Sequence, residues 1–113
     1  MHELSLALEV LRIAEEASCR QGFRRVRSVW LEIGQLSAVD IEAMRFCLDS
    51  VMAGTLADGA ALHVIEVPGQ GLCFNCEKTV PLAALYDPCP DCGRYPVQAT
   101  GGCEMRVREL EVE

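Results

Sequence analysis

Apolar residues recur at helical spacing from about Glu3 to Arg20: Leu4, Leu8, Leu11, Ala14 and Ser18 share one stripe, and Leu6, Val10, Ile13 and Ala17 lie beside it. The pattern predicts an amphipathic helix with a wide apolar face, closed by Gly22 as a left-handed cap. After Arg24-Arg25-Val26-Arg27 the period changes to two. Val29, Leu31 and Ile33 alternate with Ser28, Trp30 and Glu32, which predicts a half-buried strand whose basic start is a solvated rim. Gly34 ends that strand. Ser37-Ala38-Val39-Asp40 reads as a capping box opening a second helix, in which Ile41, Met44, Leu48 and Val51 follow at helical spacing as far as about Gly54. The turn signal Asp58-Gly59 precedes a second strand, Ala61 to Val67. A third strand is expected over Glu104 to Val112, its alternation slipping near Glu109 as at a bulge.

The region between the second and third strands has a different character. Pro68-Gly69-Gln70-Gly71 marks a boundary, and behind it stand Cys73-Phe74-Asn75-Cys76 and Cys89-Pro90-Asp91-Cys92. A Cys-x-x-Cys pair directs two thiolates at one point, and two such pairs close a tetrahedral four-sulfur shell suited to Zn²⁺. Gly93 permits a tight turn in which backbone N–H groups point back at the sulfurs. Disulfides, a redox dithiol and plain buried thiols are the blander readings. The opening Met1-His2-Glu3 has no basic region leading into an apolar run, so a reducing, cytoplasmic setting is expected and disulfides are disfavoured. An iron centre would use similar ligands, and spacing leaves it open. A closed four-cysteine shell has no position for substrate, so its metal is expected to be structural.

The expected fold is therefore α+β: two helices packed on a small three-stranded sheet, with an inserted four-cysteine module of zinc-ribbon type. The main domain is expected to be discontinuous, residues 1–68 and 98–113, with the module at 69–97. At 113 residues the core is small, and bound zinc would supply part of its stability. The formal charge of −7 becomes about −9 with the cysteine site filled, which disfavours a nucleic-acid partner and suits a cation or a basic protein surface. No apolar run is long enough to cross a bilayer.

A second place for chemistry is the N-terminus. The Met1 amine, the amide nitrogen of His2 and the His2 imidazole can wrap one ion in fused chelate rings, a planar nitrogen set that favours Ni²⁺ or Cu²⁺, and Glu3 can add an oxygen. The plainer reading makes Glu3 a first-turn acid opposing the helix dipole, and Asp40 is likewise read as a first-turn acid on the second helix. Cys19, Cys47 and Cys103 stand apart from the paired motif and read as ordinary thiols; His63 reads as a satisfied strand histidine, and Met44 and Met52 as core. No nucleophile or general acid/base pair suggests an enzyme.

Met1-His2-Glu3-Leu4-Ser5, Val29-Trp30-Leu31-Glu32-Ile33-Gly34-Gln35-Leu36-Ser37, Asp40, Phe46 ahead of Gly54-Thr55, and the paired Cys-x-x-Cys motif together resemble the HypA/HybF family of nickel metallochaperones, over essentially the whole chain. The resemblance implies nickel ligation by the Met1 amine, His2, Glu3 and Asp40, and zinc ligation by Cys73, Cys76, Cys89 and Cys92. It further implies delivery of Ni²⁺, with the GTPase HypB, to the large-subunit precursor of [NiFe] hydrogenase; the sequence leaves monomer and homodimer both open. The competing reading is a zinc-ribbon adaptor or nucleic-acid-binding module without nickel function.

Overall fold

The structure, a computed structural model, describes residues 2–113. Its elements are α1 (His2–Gln21), β1 (Val26–Gly34), α2 (Ile41–Met52), β2 (Ala61–Val67), β3 (Gln70–Cys73), β4 (Lys78–Pro81), β5 (Val97–Gly101) and β6 (Met105–Val112). They form the expected α+β fold of two helices and a three-stranded sheet, in the order β2-β1-β6, together with a second small sheet ordered β4-β3-β5. The amide of Val26 bonds Leu56 O (2.9 Å) and that of Gln35 bonds Val67 O (2.8 Å), so β1 and β2 run the same way with α2 as their crossover. Arg24 N and Gly34 N bond Glu113 O (2.9 Å) and Glu104 O (3.0 Å), which sets β6 antiparallel to β1.

By contacts the chain divides into two compact units, one formed by Met1–Leu31, Val39–Val64 and Val107–Glu113, the other by Glu32–Ala38 and Ile65–Arg106. In the first, α1 and α2 pack on one another. Their buried side chains are Ala7, Val10 and Ala14 from α1 and Met44, Leu48 and Met52 from α2, joined by Val26, Val29 and Leu31 from β1. This corrects the expected stripe on the first helix: Leu4 and Leu8 are 51% and 53% exposed, and the buried row is Glu3, Ala7, Val10 and Ala14. The buried row carries alanine at positions 7 and 14, so this face of α1 packs through small side chains on either side of Val10. Gly22 N returns to Ser18 O (2.8 Å) and closes the helix where expected.

The start of α2 also differs from expectation. Ser37 is not its cap; its hydroxyl donates to Gly34 O (2.7 Å) in the preceding turn. Asp40 is the N-cap, in extended conformation, with Oδ1 accepting from Ala43 N at 3.0 Å. An Asp at the N-cap satisfies an otherwise unpaired first-turn N–H and faces the positive end of the helix dipole.

The second unit is built on close backbone approach. A Cβ on Gly34 would sit 2.1 Å from Gly102 O, and one on Gly102 would sit 2.5 Å from Pro68 O. Glycine is what allows Leu36 N to reach Gly102 O (2.7 Å) and the side-chain oxygen of Gln35 to accept from Gly69 N (3.0 Å). Strands β3 and β4 form an antiparallel hairpin from Gln70↔Pro81 to Cys73↔Lys78, and β5 lies antiparallel on the other edge of β3.

Candidate metal sites

The four-cysteine motif closes into one cage. Cys73 is the last residue of β3 and pairs across the hairpin with Lys78, so the first Cys-x-x-Cys is the hairpin turn itself. Glu77 N bonds Cys73 O (2.8 Å) to tighten that turn, and Cys76 N points at Cys73 Sγ (3.4 Å). The second knuckle repeats the device: Gly93 N bonds Cys89 O (2.8 Å), and Gly93 takes the left-handed conformation, φ +71°, that the turn demands.

All four sulfurs lie within 4.8 Å of one another, Cys73 and Cys92 at 3.7 Å and Cys76 and Cys89 at 3.9 Å. A tetrahedral ion with Zn–S near 2.3 Å requires S···S of about 3.8 Å, which the Cys73–Cys92 and Cys76–Cys89 pairs meet, so the shell could hold a metal such as zinc. Cys73 and Cys89 are buried with Val80, and Val97 packs against them, which keeps water from those two sulfurs, while Cys76 and Cys92 are half-buried. Lys78 Nζ pairs with Asp91 Oδ2 at 2.6 Å, linking the two knuckles and placing a cation beside the sulfur charge.

The thiols do not share their protons evenly. The hydrogen bond from Cys92, with burial, pushes Cys76 up to about 12. Cys92 is lowered to about 6, first by the Arg94 backbone N–H that points at it. A divalent cation entering such a shell displaces the retained protons, so loading is coupled to pH.

At the N-terminus, the Met1 amine lies outside the described residues. His2 opens α1, and its amide is one of the first-turn N–H groups that a helix leaves without an intrahelical acceptor. Glu3 is largely buried, and its Oε2 accepts from the Asp40 backbone N–H at 3.3 Å. That bond is the first cause holding the Glu3 carboxyl down to about 2. His2 Nε2 stands 3.9 Å from the same oxygen. The starts of α1 and α2 thus bring Glu3 beside Asp40 across thirty-seven positions of sequence. Among the described residues the cysteine cage is nevertheless the only group of three or more His, Cys, Asp or Glu whose ligand atoms converge. His63, read as a plain strand residue, stacks on Trp30 with ring centres 4.5 Å apart.

A closed four-sulfur shell carried on a short hairpin is a site that could hold a metal ion with no coordination position left open for substrate. Residues 1–112 match the family model described as "Hydrogenase/urease nickel incorporation, metallochaperone, hypA". Proteins named hydrogenase maturation factor HypA are similar over their full lengths: that of Dechloromonas aromatica (strain RCB) is 52% identical and that of Azotobacter chroococcum mcd 1 is 49% identical, each over 113 residues and 100% of both chains. The solution structure of the Ni metallochaperone HypA from Helicobacter pylori superposes with a TM-score of 0.72 at 26% identity, covering 99% of this chain and 97% of that one. The chain belongs to the HypA family of metallochaperones.

Proposed function

We propose that this chain binds Ni²⁺ at its N-terminus through the Met1 amine, His2, Glu3 and Asp40, and delivers it for [NiFe] hydrogenase maturation. Residues 1–68 and 98–113 form the nickel-binding domain in this reading, and residues 69–97 form a domain holding Zn²⁺ on Cys73, Cys76, Cys89 and Cys92. The receiving partners are the GTPase HypB and the hydrogenase large-subunit precursor in the cytoplasm, and the chain itself is not an enzyme.

The observation that carries the nickel reading is the 3.3 Å bond from Asp40 N to Glu3 Oε2, which holds the beginning of α2 against the third residue of the chain. A terminal amine, an amide nitrogen and an imidazole suit nickel, and a site at a chain end remains accessible for transfer. Zinc is supported by the sulfur separations, which match a tetrahedral thiolate shell.

Nickel titration of untagged protein against His2→Ala, with zinc measured in both, is the test. Wild type is expected to take up nickel and the variant to lose that uptake, with equal zinc in each. A residue added ahead of Met1 should have the same effect as His2→Ala. Equal nickel uptake by wild type and variant, or none by wild type, would remove the N-terminal site.

A further inference from the structure

We propose that the outer face of α2 around Phe46, with the pocket beside Asp49, is a docking site for a basic and apolar segment of another protein. Phe46 is 73% exposed, on the side of α2 opposite the buried Met44, Leu48 and Met52. An aromatic side chain in the middle of a solvent-facing helix surface loses favourable burial unless something covers it, and exposed aromatics are typical anchors of protein interfaces. Glu42, four residues before it, and Asp49, three residues after, share that face. Neither has an ion pair or hydrogen bond among the described residues. The nearest cation in sequence, Arg45, is engaged elsewhere, donating to Leu62 O at 3.3 Å.

Next to Asp49 the surface opens into a pocket of about 230 Å³, floored by Val29, Leu48, Met52 and Ala57 and edged by Asp49 and Asp58. One Asp58 oxygen accepts from Gly54 N at 3.0 Å, which fixes that carboxylate at the pocket edge. The sequence of features is an aromatic knob, an uncompensated carboxylate, then an apolar hole large enough for one aliphatic side chain. Its complement is a segment with a large aliphatic residue next to Lys or Arg. A second copy of this chain is a poor fit, because a molecule of net charge −7 would bring its own Glu42 and Asp49 to the contact. The inference does not depend on the nickel reading and concerns a different surface.

The test places p-benzoylphenylalanine at position 46 of the full chain, expressed in its own cells, and identifies the photo-adduct at peptide level. The expected product joins this chain to a different protein through a peptide that carries Lys or Arg beside Leu, Ile, Met or Val. Asp49→Lys and Glu42→Lys, each with an unchanged melting temperature, should lower adduct yield by about tenfold or more. Capture of a protein is not sufficient by itself: an adduct to an acidic peptide, adducts only between copies of this chain, no adduct above that from the same label at Glu16, or yields unaffected by both charge reversals would each overturn the proposal.

Discussion

Glu3 occupies a position on α1 where an amphipathic helix ordinarily carries an aliphatic side chain, and the Asp40 N–H is what makes a carboxylate tolerable there. Because folding lowers this carboxyl from the usual 4.5 to about 2, its stabilising contribution is complete above about pH 4.5 and is lost as pH falls toward 2. Glu3→Gln should therefore be less stable than wild type near neutrality, with the gap closing through that acid window. Urea unfolding at several pH values measures it, and a gap independent of pH would show that the charge is not what matters. Asp40 carries two jobs that substitution can separate. Asp40→Ala should cost about 1 kcal/mol through loss of the cap, whereas Asp40→Asn keeps an acceptor for Ala43 N and should cost little. If the carboxylate also holds nickel, both variants should weaken nickel binding, and unaltered affinity in Asp40→Asn would confine the residue to capping. The cysteine cage was legible from spacing alone, since two short turns suffice to place its ligands. The Glu3–Asp40 bond was not, because it joins a side chain to a backbone amide far along the sequence and leaves no periodic trace.

At the level of elements, hydrophobic period located both helices and the three strands of the first sheet but misjudged which side of α1 faces inward. Apolar residues cover so much of α1 that more than one orientation satisfies the pattern, and leucines outweigh alanines in any count. What decides is which face tertiary packing covers, and that face holds Ala7 and Ala14 and leaves Leu4 and Leu8 outside. Leu8→Ala should change stability by no more than about 0.5 kcal/mol, whereas Leu31→Ala, at a fully buried position on β1, should cost roughly 2–5 kcal/mol. Denaturant midpoints of the two variants check this, and comparable losses would return Leu8 to the core. The strands β3, β4 and β5 escaped the sequence reading for a different reason. They are four or five residues long, too short for alternation to register, and they are set by the knuckle turns and by glycines that admit close backbone approach.

Across the whole molecule, the two compact units satisfy the demand for burial by different means. The first closes an aliphatic core from Val10, Ala14, Leu31, Met44 and Leu48. The second has few large apolar side chains to bury; around its hairpin the fully enclosed groups are Cys73, Val80, Leu82 and Cys89, two of them from the cysteine cage. A structural metal on four thiolates supplies about 10–16 kcal/mol in small zinc peptides, far more than those side chains could. Chelation under reducing conditions should therefore strip hydrogen-exchange protection from the amides of β3, β4 and β5 while those of α1 and α2 exchange as before. Cys73→Ser should reproduce the loss without chelator. Cys19→Ser and Cys103→Ser, exposed thiols outside the cage, should have no effect. If the amides of α1 lose protection as fast as those of β3 when the metal is withdrawn, the aliphatic core does not stand without the cage, and the two means of burial are one.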